Sequence, residues 1–313
     1  ASIEAQTFRD FEVMAVDDGS RDQTLRMLDT WSLRNPAVRV LRTARSGLVA
    51  ALEAARVCAS GDVLARMDAD DVAHPQRFER QLQLLDEQPA LAACGSGVRY
   101  FPAEAVQDGA RRYEAWINAL VTPDAIERDI FVECPVPHPT LMIRRAALDS
   151  VGGYRDAGWP EDYDLVLRLW AAGHRMAKVP EVLLEWRETP GRLSRSDPRY
   201  DEAAFRRCKV HWLTRTLLQG RGQVVIWGAG PVGKSFARAL AAMDVVTSAF
   251  VEVDRRKIGQ LIHGAPVIPA SRMSEFSSLF AIAAVGSAPA RAEIRASLSA
   301  LGLREMRDFC AVA

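Results

Sequence analysis

The chain has 313 residues, 49% of them hydrophobic, and its 40 Lys plus Arg balance 40 Asp plus Glu. That is an ordinary globular composition, and at about 100–200 residues per domain the length implies two domains. A net charge of zero excludes a nucleic-acid binder of the bulk-basic kind, so no nucleic-acid partner is expected. Cys58, Cys94, Cys134, Cys208 and Cys310 are odd in number and form no C-x-x-C pair, which excludes a disulfide framework and a cysteine zinc site. No apolar run reaches the roughly 18 residues that span a bilayer, and Glu4, Arg9 and Asp10 interrupt any apolar start. A reduced cytoplasmic protein is expected, with at most peripheral association at the inner face of a membrane.

The opening, Ala1 to Phe8, reads as the end of a helix, and an upstream strand and most of a helix are expected to precede it. Phe11 to Val16 is an apolar strand followed by Asp17-Asp18-Gly19. Ser20 and Gln23 have capping-box spacing, and Leu25, Leu28 and Trp31 mark one face of the next helix. Val38 to Leu41 is a short strand, and Leu48 to Ala59 is an alanine-rich helix. Val63 to Met67 is a strand leading into Asp68-Ala69-Asp70-Asp71. Pro75 takes the first position of a helix whose buried face is Phe78, Leu82 and Leu85. Ala92 to Tyr100 is a strand; 109–121 and 123–131 look helical. Cys134 to Pro139 must be extended, since each proline restricts its predecessor. Thr140 to Arg144 is a strand, Gly152-Gly153-Tyr154 a turn, and Glu161 to Ala172 a helix. Residues 187–199 are polar and rich in Pro, Gly and Ser, which marks a loop.

A second α/β unit follows a helix from Tyr200 to Gln219, with Gly220 as its C-cap. Its strands are Val224–Trp227, Val245–Val253, Leu279–Val285 and a last one near Phe309–Val312. Helices run to about Met243 and from Pro289 to Leu301. The expected division is 1–190, a linker with a helix at 191–220, and 221–313.

Two carboxylate clusters, each directly after an apolar strand, carry the chemistry. In open α/β sheets ligands bind beyond the carboxyl ends of the strands, so both clusters point at one site. Hard divalent cations take oxygen ligands, and phosphate oxygens complete the shell. A D-x-D alone is weak, because aspartates are common in turns; two clusters at two strand ends weigh more.

Val16-Asp17-Asp18-Gly19-Ser20, Met67-Asp68-Ala69-Asp70-Asp71 and Pro75-Gln76-Arg77-Phe78 together resemble the family-2 glycosyltransferases with the GT-A fold. The likeness continues through His138-Pro139-Thr140, Arg144-Arg145, Val151-Gly152-Gly153-Tyr154-Arg155 and Glu161-Asp162-Tyr163-Asp164-Leu165, across the first two-thirds of the chain. The resemblance implies an α/β fold of GT-A type and an inverting, metal-dependent transfer from a nucleotide-diphospho-sugar, a UDP-sugar above all. The acceptor would be a saccharide or lipid-linked hydroxyl in bacterial cell-surface polysaccharide or glycoconjugate synthesis. It implies that Asp18, with Asp17 beside it, binds the base. Asp68 lies near ribose and sugar, and Asp70 with Asp68 holds Mg²⁺ or Mn²⁺ on the diphosphate. Asp162 is the general base and Glu161 shapes the acceptor site. His138 is a candidate lining residue of the donor or acceptor pocket, or a structural histidine. Arg42 and Arg45 are candidates for diphosphate contacts, and Asp164 for an ion pair with Arg168.

The chemistry asks for these groups. A diphosphate leaving group develops negative charge, which a metal ion stabilises. The attacking hydroxyl must lose a proton, which calls for a carboxylate opposite the leaving group. One base and a direct displacement invert the anomeric centre.

Gly228 to Ser235 matches both G-x-G-x-x-G and the G-x-x-x-x-G-K-S phosphate loop. The strand after Leu279 ends in Gly286-Ser287 rather than an aspartate, and Glu252 or Asp254 lies about 20 residues beyond the glycines, as in dinucleotide-type layouts. A Rossmann-like half domain is expected, with Gly228, Gly230, Gly233, Glu252 and Asp254 as candidates for binding a nucleotide or NAD(P). A scaffold of that shape that binds nothing is the alternative. For the whole chain two rivals stand: a nucleotidyltransferase, and a non-catalytic nucleotide or nucleotide-sugar sensor.

Overall fold

The computed structural model describes residues 1–189 and 191–313, and of Ser194 only its place in a helix; Pro190, part of the loop read at 187–199, lies outside the described residues. The chain divides into two units, Ala1–Ile126 with Pro135–Ser196, and Glu127–Cys134 with Asp197–Ala313.

In the first unit β1 (Val13–Asp17) is followed by α1 (Thr24–Arg34), β2 (Val38–Arg42) and α2 (Leu48–Cys58). β1 and β2 pair in parallel, from Val13 opposite Val38 to Asp17 opposite Arg42, and form a two-stranded sheet of their own. Val13 to Val16 are half-buried, and neither α1 nor α2 contains a fully buried residue.

The larger sheet holds β3 (Val63–Ala65), β4 (Val72–Ala73), β5 (Leu91–Phe101), β6 (Met142–Arg144) and β7 (Arg175–Arg187), in the order β3-β6-β5-β7-β4. The expected α/β fold is there, with mixed pairing: β5 and β7 are parallel, while β6 runs antiparallel to β3 and β5, and β4 to β7. β5 and β7 are the buried spine, with Ala93, Cys94 and Val98 fully enclosed. Among the described residues β1 pairs only with β2 and β3 only with β6, so each presents one open edge.

The helices are α3 (Arg77–Glu87), α4 (Asp108–Ala119), α5 (Pro123–Asp129), α6 (Arg145–Ser150), α7 (Glu161–Ala171) and the short α8 (Leu193–Ser196). Phe78 and Leu85 of α3 pack with Leu91, Cys94, Met142 and Ala177, and Phe11 meets Phe78 edge-on at 5.3 Å. On the other side Tyr100, Val98, Ile117 and Trp186 form a second cluster, with Tyr100 and Trp186 stacked at 5.0 Å. Gly95 of β5 is needed for close approach: a Cβ there would lie 2.8 Å from Val136 Cγ1 and 2.9 Å from Thr140 Oγ1. The 136–140 segment therefore lies directly on the central strand.

In the second unit α9 (Glu202–Arg215) precedes β8 (Gln223–Trp227), α10 (Pro231–Ala241), β9 (Val246–Glu252), β10 (Leu261–Ile262), β11 (Ala265–Pro269), β12 (Phe280–Ala283), α11 (Ala288–Ala300) and β13 (Phe309–Ala311). The sheet order is β10-β11-β9-β8-β12-β13, all parallel except β10. Counting from β8, the parallel strands lie in the order 3-2-1-4-5 of a doubly wound sheet.

Several local expectations are corrected. The Ser20/Gln23 capping box does not form, because Asp17 Oδ1 takes the Ser20 N–H and Asp22 Oδ1 takes the Thr24 N–H. Pro75 lies before the N-cap Gln76 rather than inside α3. Within Cys134–Pro139, His138 opens a 3₁₀ turn that runs to Thr140, since the Thr140 and Leu141 N–H groups reach back to Pro137 and His138. The segment read as loop contains α8 and a 3₁₀ turn at Pro198–Tyr200. α9 ends at Arg215, so Gly220 belongs to the following turn and is not its C-cap. The β10–β11 hairpin is an addition to the expected strands: β10 has two residues, and β11, with five, carries Pro266 and Pro269.

Candidate active site

The D-x-D follows β3 and leads into β4, and its carboxylates are held differently. Asp68 is gripped by Arg66, with Nη2–Oδ1 at 2.5 Å and Nη1–Oδ2 at 2.6 Å. Asp70 is exposed, and its carboxylate makes no hydrogen bond or ion pair among the described residues. Asp71 is only 6% exposed; its Oδ1 accepts the Arg187 N–H at 2.8 Å, while its Oδ2 is buried without a partner. Burial, with repulsion from Asp68 and Asp70, pushes the Asp71 carboxyl up to about 7 despite that N–H. Arg187 completes the clasp: its Nε donates to the Asp70 carbonyl at 2.7 Å and its guanidinium lies 4.4 Å over the Phe101 ring.

A carboxyl whose folded pKa is raised stabilises the fold below its unfolded pKa and loses that contribution as pH rises through the folded value. Asp71→Asn is therefore expected to gain stability over the wild type as pH goes from about 4 to about 8, by about 1–3 kcal/mol, the cost of an unsatisfied buried polar group. Thermal melts of the ligand-free proteins at pH 5 and pH 8 check this; a difference that does not change with pH would refute it.

At β1, Asp17 is buried and caps its own turn through Ser20. Asp18 clamps the β2–α2 connection. Its Oδ1 accepts from Thr43 Oγ1 at 2.6 Å and Ser46 N at 2.7 Å, its Oδ2 from Gly47 N at 2.8 Å. These bonds, the Thr43 hydroxyl first, hold its carboxyl below the usual range. Of the expected phosphate contacts, Arg42 forks onto Asp29 at 2.8 Å and Arg45 reaches the Gly19 carbonyl.

The E-D pair opens α7. Glu161 is 2% exposed and lies 3.6 Å from His138 Nδ1. Burial and the nearby Arg66 push the His138 imidazole well below its ordinary value, so this is a contact with a neutral ring rather than an ion pair. Asp162 is half-buried, and its Oδ1 accepts the Tyr163 N–H at 2.7 Å. The helix N-terminus favours its ionised form. Asp164 pairs with Arg168 at 2.7 Å, as the i,i+4 spacing predicts, and also accepts from Trp159 Nε1.

Two residues quoted in the motifs but given no role bring these parts together. Arg77 is fully buried; it donates to the Arg66 carbonyl at 2.6 Å, to Met67 Sδ at 3.2 Å and to Gln81 Oε1 at 3.0 Å. Gln81 in turn donates to the Thr140 carbonyl at 2.8 Å. One polar stripe of α3 thus ties the strand before the D-x-D to the turn that carries His138. Tyr154 lies between the motifs, 3.5 Å from His138 Nε2 and within electrostatic reach of Arg66, Glu161 and Asp162. The i,i+4 spacing of a cation and an amide inside an otherwise apolar face was the sequence signal for the stripe.

The donor set fits a divalent cation. Among the described residues no three His, Cys, Asp or Glu side chains form a ready cage. Mg²⁺ and its relatives are commonly held by one or two carboxylates and substrate phosphates, and Asp70 supplies a free carboxylate beside the orphaned oxygen of Asp71.

In the second unit the glycine loop joins β8 to α10. Gly228 has φ +118°, and a Cβ on it would lie 2.7 Å from the Ala284 carbonyl. A Cβ on Gly233 would lie 1.9 Å from the Gly228 carbonyl, whereas one on Gly230 would meet nothing within 4 Å. Glu252 is already engaged: it accepts from Ala229 N, Val253 N and Asp254 N, and pairs with Lys257 at 2.9 Å. Asp254 pairs with Arg256 at 2.8 Å.

Comparison with known proteins agrees with this geometry. The family described as Glycosyl transferase family 2 matches residues 1–152. The amylovoran biosynthesis glycosyltransferase AmsE of Erwinia amylovora is 30% identical over 187 residues, 59% of this chain and 68% of that protein. The putative glycosyltransferase EpsE of Bacillus subtilis is 29% identical over 193 residues, 60% of this chain and 66% of that protein. The chain thus spans about two-thirds of the length of these relatives. Among solved structures, S. aureus TarS 1–349 in complex with UDP-GlcNAc superposes with a TM-score of 0.56 at 18% identity, over 76% of this chain and 66% of that one. The last likeness speaks for the fold. The chain belongs to glycosyl transferase family 2 and is a glycosyltransferase of GT-A fold.

Proposed function

We propose that the first unit transfers a sugar, with inversion, from a nucleoside-diphospho-sugar to an acceptor hydroxyl during synthesis of a cell-surface polysaccharide or glycoconjugate. Support for that setting comes from the relatives named for amylovoran and for O-antigen biosynthesis, the latter WbnJ of Escherichia coli at 28% identity. The acceptor is a saccharide, free or lipid-linked. No helix among the described residues is long and apolar enough to cross a membrane.

One observation carries the reading: the D-x-D and E-D carboxylates share a single electrostatic neighbourhood, in which Arg66 holds Asp68 and faces Glu161, and Tyr154 faces both Glu161 and Asp162. In this reading Asp17 and Asp18 lie at the base, Asp68 beside ribose and sugar, and Asp70 on a Mg²⁺ or Mn²⁺ ion. The ion supplies charge stabilisation to the departing diphosphate. Asp162, accessible and fixed by its own helix, takes the proton of the acceptor hydroxyl. Glu161, buried against His138, keeps that helix end in place.

For the second unit we infer a binding part rather than a catalytic one. Gly228 and Gly233 are demanded by packing, but nothing among the described residues demands a glycine at Gly230, which leaves open approach for a phosphate-bearing ligand. Glu252 and Asp254 are engaged within the protein, which weighs against a ribose-reading role for them.

Calorimetric titration with UDP-GlcNAc and GDP-mannose, each with and without Mn²⁺, tests the donor site. Donor binding is expected to strengthen with Mn²⁺, and Asp70→Ala to lose that gain, at least about tenfold. Donor affinity indifferent to both Mn²⁺ and Asp70→Ala would overturn the metal assignment. Titration with NAD⁺ and with UDP alone addresses the second unit.

A further inference from the structure

We propose that Arg66 is a positioning residue of the transfer site: it reserves Asp68 for the donor and so leaves the divalent cation to Asp70. The inference rests on the donor-site reading above. Both oxygens of Asp68 lie in the guanidinium fork, at 2.5 and 2.6 Å. Such bidentate pairs are the strong, directional ones, and the Arg66 side chain is only 9% exposed, so water screens it little. A cation at Asp68 would lie beside the guanidinium's own positive charge, which disfavours it there. Asp70, two residues on, is exposed and unengaged among the described residues. The two aspartates of one motif are thus prepared for different partners.

The backbone of Arg66 is anchored on both sides. Its N–H donates to the Leu141 carbonyl at 2.8 Å, and its own carbonyl receives Arg77 Nη2 at 2.6 Å. Its Nε is buried with no hydrogen-bond partner. An orphaned donor of that kind is costly. The same positive charge faces Glu161, Tyr154 and His138, so it sits between the donor carboxylate and the acceptor-side motif.

The test uses the full chain as Arg66→Met, Arg66→Lys, Asp68→Asn and the Arg66→Met/Asp68→Asn double variant, each titrated with Mn²⁺ alone and with UDP-GlcNAc or GDP-mannose plus Mn²⁺. Arg66→Met is expected to weaken donor binding by about 10–100-fold, the range of a lost charge-assisted hydrogen bond. Mn²⁺ binding is expected to hold or tighten, because Asp68 is released. Arg66→Lys keeps the charge without the fork and recovers part of the donor affinity. The double variant is expected to melt no lower than Arg66→Met, since it leaves no uncompensated carboxylate.

A merely structural ion pair predicts otherwise: Arg66→Met would lose Mn²⁺ and donor binding together, in step with its melting temperature, and that result overturns the proposal. So does unchanged donor affinity. If Arg66→Met does not fold, Asp68→Asn decides, because it must weaken the donor while keeping Mn²⁺; loss of Mn²⁺ binding there refutes the division of labour. A wild type that binds no nucleotide-sugar sinks the donor-site reading itself, whereas a binding wild type with indifferent Arg66 variants sinks only this inference.

Discussion

Replacing Asp162 by asparagine is expected to lower kcat by about 10²–10⁴-fold, the usual contribution of a positioned general base. Donor affinity is expected to stay within about twofold, because the acceptor proton is not yet in flight when the donor binds. The geometry explains why no neighbour can substitute. Asp162 Oδ1 is fixed by the Tyr163 N–H at 2.7 Å, in the first turn of α7. Glu161 is turned inward, 2% exposed against His138, and Asp164 is tied to Arg168. Asparagine keeps the bond to Tyr163 and loses only basicity. Release of nucleoside diphosphate in the presence of acceptor, with donor titration alongside, measures both quantities; a kcat within a factor of a few of wild type would remove Asp162 from the mechanism.

Arg77→Leu is expected to destabilise the first unit by about 3–5 kcal/mol, from a cavity plus three abandoned acceptors. At this size that corresponds to a melting temperature lower by about 6–20 °C. Burial pulls the Arg77 guanidinium down to about 10, so it is still charged at neutral pH, yet its hydrogen-bond partners among the described residues are a carbonyl, an amide oxygen and a sulfur rather than a carboxylate. A fully buried cation held only by neutral acceptors makes sense if its task is to fix the strand ahead of the D-x-D. Arg77→Lys keeps the charge but not the three-way geometry, and is expected to recover little. Melts of the two variants decide; a loss below about 1 kcal/mol for Arg77→Leu would show that the stripe is dispensable.

The sequence was informative where periodicity and motif coincide. β5, α2, α7 and the glycine loop lie within a residue or two of where apolar runs and turn residues place them. The carboxylate clusters were legible because strand, acidic cluster and turn follow one another without interruption. What stayed hidden were relations between distant residues of similar local pattern. Arg66 looks like an exposed position of a short strand, yet it is buried by the segments around Leu141 and Arg77. Arg42 and Arg45, candidates for diphosphate contacts, meet Asp29 and the Gly19 carbonyl, partners that no local pattern announces. Asp71 reads as a turn residue until Arg187, 116 positions away, donates to it. The Leu261–Ile262 strand is two residues long, too short for any period to register.

The open edges of β1 and β3 have a thermodynamic meaning for the donor. A two-stranded ribbon covered by helices without a fully buried residue is marginal by itself, and local opening of a protein starts where buried contacts are fewest. The backbone amides of β1 are therefore expected to exchange with solvent deuterium long before those of β5 and β7. Asp17 and Asp18 stand at the end of that ribbon, so under the proposed donor reading the base is met by the segment that opens first. Observed donor affinity is then the intrinsic affinity scaled by the fraction of time this ribbon is closed. Anything that completes its hydrogen bonding would sharpen recognition of the base without touching a single side chain of the transfer centre.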